Sequence, residues 1–234
     1  PREVVRYHAS SGTTGKPTIV GYTREDIEGW SESVARGLVS AGVGTDDVLQ
    51  VCYTYGLFSG GLGLHYGAEK VGAAVVPAST GNTERQIDLV RDLNVTVVAA
   101  TPSYLLHMGE VAEKMGVDIR KDTKLRLGIL GAEPWSPRMR DRIYERLGIK
   151  AIDIYGTSEL SGPLWCECSE QNGIHVWADM TLIEVLDPAT GEPVANGEKG
   201  ELVVTMLQKE ALPIVRYRTG DITTMHEDVC PCGR

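Results

Sequence analysis

The stretch VTVVAATPSYLLHMGEVAEKMGVDIRKDTKLRLGILGAEPWSP (95–137) reads as strand, helix, strand, and the opening of a second helix. Val95 to Ala99 and Leu125 to Leu130 are short aliphatic runs of strand length. Between them, the segment after Ser103 sets Leu105, Met108, Ala112 and Met115 on one helical face, with both methionines as packing residues. Ser136 before Pro137 is a helix start, because a hydroxyl caps the first turn and the proline needs no helical N–H partner.

The same alternation extends outward from Asp47 to Ile154, with further strand runs at Val48 to Tyr53, Ala73 to Pro77 and Ile149 to Ile154. This is the grammar of an α/β fold, a sheet with helical crossovers. An earlier helix opens at Thr23 with Asp26 at its third position. Ile27, Trp30, Val34 and Leu38 form its apolar stripe before Gly42 stops it. The segment after Thr83, with Gln86 three residues on, turns Ile87, Val90 and Leu93 inward. Beyond Gly162 the pattern becomes strands joined by turns: Thr181 to Leu186, Glu201 to Thr205 and Leu212 to Arg218. The expected organisation is an α/β unit over 1–161 and a smaller β-rich unit over 162–234, with no internal repeat.

The 234 residues are 42% hydrophobic, enough for a sizeable core, and carry a net charge of −9, which argues against a nucleic-acid scaffold. With 27 Gly and 11 Pro, many turns and close backbone approaches are expected, and loops are expected to carry the chemistry. No apolar run reaches membrane-spanning length and no targeting segment is legible, so a cytoplasmic protein without membrane or nucleic-acid partners is expected. The start at Pro1 and the end at Arg234 suggest a fragment.

Several turns hold side chains suited to a nucleotide. Ser10, Ser11, Gly12, Thr13, Thr14, Gly15 and Lys16, followed by Pro17, combine hydroxyls, glycines and an ammonium, which together can wrap polyphosphate. The spacing departs from the Walker A loop, with two residues between the glycines and a proline after the lysine. Tyr155, Gly156, Thr157, Ser158 and Glu159 follow a strand. Here Glu159 suits a hard cation such as Mg2+, a hydroxyl suits phosphate and Tyr155 suits a base. In Tyr217-Arg218-Thr219-Gly220-Asp221, the Asp221 carboxylate can accept both vicinal hydroxyls of a ribose, and Arg216 and Arg218 share a face by strand alternation. Gly131, Ala132 and Glu133 end another strand and could wall a flat ring. Tyr53, Phe58 and Gly60 surround a glycine-rich turn that could hold an aromatic substrate. Each of these has a plainer structural reading, as a flexible turn, a helix cap, a solvated strand end or core packing.

Cys168, His175, Cys230 and Cys232 would complete a closed tetrahedral Zn2+ site, with Cys166 as a substitute ligand. Cys52 reads as a small buried hydrophobe.

Taken in order, SSGTTGKPT (10–18), YGTSE (155–159) and YRTGD (217–221) resemble the acyl-adenylate-forming, AMP-binding ligase superfamily. YTYGLFSGG (53–61), GAEPWS (131–136), KEALPIVRYRTGD (209–221) and CPCGR (230–234) narrow the resemblance to its phenylacetate-coenzyme A ligase branch. The resemblance covers essentially the entire chain. It implies that ATP and a carboxylic acid form an acyl-adenylate and pyrophosphate, after which coenzyme A displaces AMP. It further implies that Lys16 and its loop hold the β,γ-phosphates, Ser158 lies against phosphate, Glu159 holds Mg2+, and Tyr155 and Gly131 to Glu133 frame adenine. Asp221 would hold ribose, and Tyr53 with Phe58 would line an aryl pocket. Family members continue into a hinge and a small mobile domain carrying a catalytic lysine, so this stretch is expected to bind nucleotide but turn over weakly. Alternatives are an adenylating enzyme for another acid or acceptor, and a noncatalytic nucleotide-binding or zinc-stabilised module. A homodimer is one possible assembly.

Overall fold

Five parallel strands form the spine of the molecule, and the turns after β3, β6 and β7 share their carboxyl end. A computed structural model describes residues 3–10 and 16–234. In chain order the elements are β1 (Arg6–Ala9), β2 (Ile19–Tyr22), α1 (Arg24–Ser40), β3 (Val48–Val51), α2 (Gly60–Val71), β4 (Ala74–Val76), α3 (Thr83–Asp92), β5 (Val97–Ala100) and α4 (Pro102–Lys114). There follow α5 (Ile119–Asp122), β6 (Leu127–Gly131), α6 (Pro137–Leu147), β7 (Lys150–Tyr155), β8 (Trp165–Glu167), β9 (Ile174–His175), β10 (Thr181–Leu186), β11 (Lys199–Met206) and β12 (Tyr217–Thr224). The large sheet has the order β4-β3-β5-β6-β7-β8-β9; the first five strands are parallel, and β8 and β9 join antiparallel. The order reverses between β3 and β5, so the crevice at their carboxyl ends is the natural place for a ligand. A separate antiparallel sheet runs β10-β11-β12, and β1 pairs with β2 as a hairpin.

The α/β expectation holds, and the local signals account for much of it. Thr23 and Asp26 form a reciprocal capping box at α1, and Ser136 caps α6 with Pro137 in the first turn. Two starts lie earlier than the sequence suggests. Asn82, rather than Thr83, caps α3 by accepting the Arg85 N–H, and Thr101, rather than Ser103, caps α4 by accepting the Tyr104 N–H. Both replacements are side chains at the geometric N-cap, where an oxygen reaches a free first-turn donor.

The glycine-rich segment expected as a turn is irregular over 53–59 and then enters α2, whose glycines allow close contact with α1. A Cβ on Gly63 would lie 2.6 Å from the Trp30 ring, and one on Gly67 would lie 2.4 Å from Val34. Neither helix could approach so closely with larger residues.

The change of pattern at Gly162 marks a switch in pairing rather than the immediate start of a second sheet: β8 and β9 extend the large sheet, and the small sheet begins at Thr181. The expected strand over Leu212 to Arg218 is displaced to β12. Leu212 and Ile214 pack half-buried against the apolar clusters from irregular backbone, and Arg216 takes φ 48°, outside any strand. Arg216 and Arg218 therefore do not share a strand face; they pair with Glu184 and Glu201 respectively.

Two apolar clusters cover the large sheet, one including Trp30, Leu49 and Ile129, the other Ile87, Leu105 and Ile143. A smaller one, around Trp165, Trp177 and Val204, joins the small sheet to β8. Among the described residues no helix is long and apolar enough to cross a membrane.

Candidate functional site

The second and third motifs, separated in sequence, meet beside the carboxyl end of β7. Tyr155, at the end of β7, donates its hydroxyl to Asp221 Oδ2 at 2.6 Å, joining the second and third motifs across 66 residues. Burial and the neighbouring Asp221 charge both push the phenol upward, which keeps Tyr155 protonated as a donor. Its ring stacks on the buried Trp165, 5.7 Å between centroids, so its orientation is set from behind. Asp221 itself is exposed, which leaves carboxylate capacity for further donors. Tyr155 and Asp221 both line a cleft of about 1540 Å³ between the large and small sheets.

The turn after β7 is held from several directions. Tyr22 of the β1–β2 hairpin donates to the Ser158 carbonyl at 3.2 Å, and the Ser59 hydroxyl approaches Ser158 Oγ at 3.4 Å. Ser158 is buried. Thr157 Oγ1 is also buried and has no hydrogen-bond partner among the described residues, so a hydroxyl at this edge has unused capacity. Gly156 packs so tightly on Gly162 that a Cβ there would lie 2.7 Å from its Cα. Glu159 is half-buried and makes no ion pair among the described residues; its oxygens suit a hard cation.

Of the first motif, Ser11, Gly12, Thr13, Thr14 and Gly15 lie outside the described residues. Ser10 and Thr18 form the base of this loop: the Ser10 N–H donates to the Thr18 carbonyl at 3.0 Å, and the Thr18 N–H donates to Ser10 Oγ at 2.9 Å. The hairpin is tied to the Tyr53–Gly61 segment, because the Ala9 N–H donates to the Leu57 carbonyl and His8 Nδ1 lies 3.0 Å from that oxygen. Lys16 is exposed.

Tyr53 is buried, and its hydroxyl bridges two strand ends. It donates to the Ala100 carbonyl at 2.5 Å and accepts the Gly131 N–H at 3.2 Å. Burial drives its phenol upward, so the bridge stays protonated. Gly131 has no room for a side chain, since a Cβ would lie 2.4 Å from the Ile154 carbonyl oxygen. Ala132 follows in the left-handed region at φ 68°, a costly conformation for a residue with a side chain. Glu133 caps the neighbouring helix start, accepting the Ser103 N–H and hydroxyl at 2.7 and 2.9 Å. Phe58 packs its ring against Gly60, where a Cβ would come within 2.6 Å.

Lys209 was not legible as a site residue, because nothing in KEALPIVRYRTGD separates it from a solvated lysine. It is buried, donates to Ser161 Oγ at 2.8 Å, and sits 4.3 Å above the Tyr22 ring. Burial pushes its ammonium down to about 8, against the opposing charges of Asp26 and Glu159. Asp26 also accepts the N–H groups of Glu210 and Ala211 at 2.7 and 3.0 Å, so the capping residue of α1 holds this segment in place. Lys209 thus braces the turn that carries Ser158 and Glu159.

Farther along the same cleft, which His175 and Cys230 also line, Cys168, His175, Cys230 and Cys232 bring their ligand atoms within 4.8 Å of one another. Cys166 is not among them. It is buried against α1, its Cβ only 2.8 Å from where a Gly37 Cβ would stand, and the expectation that it could substitute as a ligand fails for that reason. Cys52 is buried as expected, with its thiol pushed up to about 11 by burial.

The family described as AMP-binding enzyme matches residues 4–207. The chain is 53% identical over 225 residues to phenylacetate-coenzyme A ligase of Pseudomonas putida, covering 95% of this chain and 51% of that protein. It is 50% identical to phenylacetate-coenzyme A ligase of Thermus thermophilus, covering 100% of this chain and 53% of that protein. The chain thus spans about half the length of the curated relatives it matches. A solved open conformation of 2-hydroxyisobutyryl-CoA ligase, in complex with 2-HIB-AMP and CoA, superimposes with a TM-score of 0.93 at 30% identity, over 100% of this chain and 55% of that one.

Proposed function

The chain belongs to the AMP-binding enzyme family, and from that premise we propose that these residues form the nucleotide- and acid-holding edge of an acid-coenzyme A ligase. The reaction, assigned to a protein of the relatives' full length, is adenylation of a carboxylic acid by ATP with release of pyrophosphate. Coenzyme A thiolate then displaces AMP to give the thioester. The observation that carries this reading is the 2.6 Å hydrogen bond from Tyr155 to Asp221, because it brings a base-sized aromatic face and a ribose-type carboxylate to one cleft.

The residues divide the work by their chemistry. Asp221 accepts ribose hydroxyls while Tyr155 holds it in position. The loop from Ser10 to Lys16, together with Thr157 and Ser158, supplies donors to phosphate oxygens. Gly131, Ala132 and Glu133, with Gly156 across the edge, give backbone against adenine. Mg2+, held by Glu159, would neutralise phosphate charge. This is electrostatic stabilisation and positioning, with no covalent attack by the protein.

The proposed acid is phenylacetate or a close aryl acid. Support comes from the likeness to the two phenylacetate-coenzyme A ligases and from Tyr53 and Phe58, whose rings lie beside Gly60 and the Gly131 strand end. The test is acid-dependent exchange of labelled pyrophosphate into ATP by the full-length protein. Phenylacetate should support exchange more strongly than 2-hydroxyisobutyrate; the reverse order would overturn the acid assignment, and no exchange with any acid would overturn the ligase reading. Asp221→Ala should weaken nucleotide binding by about 2 kcal/mol, measured by calorimetry. Unchanged affinity would remove Asp221 from the ribose site.

A further inference from the structure

The Cys and His cluster takes no part in the nucleotide reading, and its geometry has a chemistry of its own. We propose that Cys168, His175, Cys230 and Cys232 bind one structural Zn2+ that clasps the turn at 230–233 to the edge of the large sheet.

The four ligands come from three places. Cys168 follows β8, His175 ends β9, and Cys230 and Cys232 lie in one tight turn. That turn closes through the Cys230 N–H to the Arg234 carbonyl at 2.7 Å and the Gly233 N–H to the Cys230 carbonyl at 2.8 Å, with Gly233 at φ 90°. The interatomic spacings discriminate between chemistries. Zn–S bonds of about 2.3 Å and a Zn–N bond of about 2.0 Å at tetrahedral angles require S···S near 3.8 Å and S···N near 3.5 Å. The cluster has Cys168 Sγ to Cys230 Sγ at 3.8 Å and Cys232 Sγ to His175 Nε2 at 3.4 Å. A disulfide needs sulfurs about 2.05 Å apart, and an imidazole has no place in one.

The donor set also selects the ion. Three thiols and one imidazole suit a borderline-soft d10 ion, whereas Mg2+ and Ca2+ take oxygen. The Glu170 N–H points at Cys168 Sγ at 3.4 Å, a backbone donor that stabilises a metal-bound thiolate. Four protein ligands fill a tetrahedron and leave no position for water or substrate, so the ion is structural. On binding, each thiol loses its proton to solvent as its S–Zn bond forms, and no oxidant or reductant is required. The effect is to tie the segment after β12 to β8 and β9, strands of three and two residues.

The chain, purified without chelator from zinc-supplemented cells, should carry about one zinc per molecule by plasma mass spectrometry. The double substitution C230S/C232S should lower that content about tenfold, while Cys52→Ser, which removes a thiol outside the cluster, should leave it unchanged. Less than about a tenth of an equivalent in the unaltered chain would overturn the proposal, as would full zinc retention by the double variant. Should the double variant fail to fold, Co2+ loading of the unaltered chain decides. Intense sulfur-to-cobalt charge transfer with tetrahedral ligand-field bands is expected, and octahedral or absent bands would overturn the site.

Discussion

The two ends of the large sheet are built differently. Its parallel strands β3, β5, β6 and β7 are sandwiched between two apolar clusters, and Val97, Val98, Ala99, Ala100, Ile129 and Leu130 are sealed from water. The antiparallel end, β8 and β9, contributes only five residues of strand and leads to a small sheet that leaves Leu182 and Ile222 exposed. Where apolar burial is plentiful, the chain can hold Ala132 at positive φ and Gly131 against a carbonyl, and so present a rigid edge to a ligand. Toward the antiparallel end and the small sheet, position also depends on discrete polar fastenings: Tyr155 to Asp221, Lys209 to Ser161, and the Cys and His cluster.

That contrast can be broken most strongly at Arg140. Its guanidinium pairs with the buried Glu167 at 2.8 and 3.0 Å, and Glu167 also accepts the Asp153 N–H at 2.8 Å. Arg140→Ala strands a carboxylate beside Asp153, whose own carboxyl is already raised to about 6 by burial. A loss of about 3 kcal/mol is expected in urea unfolding, the low end for a broken buried pair because Arg140 keeps some exposure. Gly131→Ala comes next, at about 2 kcal/mol, because the new methyl meets the Ile154 carbonyl in a packed sheet. The same measurement checks it, and a neutral result would mean that the strand end yields.

Lys209→Met separates the brace from the core. The folded ammonium titrates near about 8 rather than 10.5, so above pH 8 the unfolded chain holds a proton that the folded chain lacks. Stability of the parent should therefore rise with pH, by about 1 kcal/mol between roughly pH 7 and 8.5 from this group. The Met variant should lack that increment in otherwise matched denaturant titrations. The smallest effect belongs to the small sheet. Arg216 and its partner Glu184 are 59% and 27% exposed at the side chain, and Arg216→Ala should change stability by less than about 0.5 kcal/mol. A loss matching that of Arg140→Ala would erase the distinction between the two regions.

The legible features were those whose cause lies within a few residues. The α1 capping box, the Ser136-Pro137 start and the aliphatic strands could be read because cap geometry and side-chain period are local. The cap at Asn82 was missed by one residue because the αL backbone that aims its oxygen is not encoded in a simple pattern. The strand over Leu212 to Arg218 was misplaced because irregular backbone can also turn Leu212 and Ile214 toward the apolar clusters. The reason for Gly63 and Gly67 was not legible, because their contacts with Trp30 and Val34 lie on another helix.

By itself, the sequence determined the α/β alternation, the starts of α1 and α6, the residue types of the motif turns and the donor types of the Cys and His set, since each follows from short-range periodicity, capping or residue chemistry. Only the tertiary structure decided which turns share an edge, that Lys209 is buried over Tyr22, that Cys166 faces α1 while Cys168 joins His175, and that Tyr155 reaches Asp221. Those outcomes depend on contacts between residues tens of positions apart. Such contacts form only when the strand order of the sheet and the packing of its helices have brought the segments together.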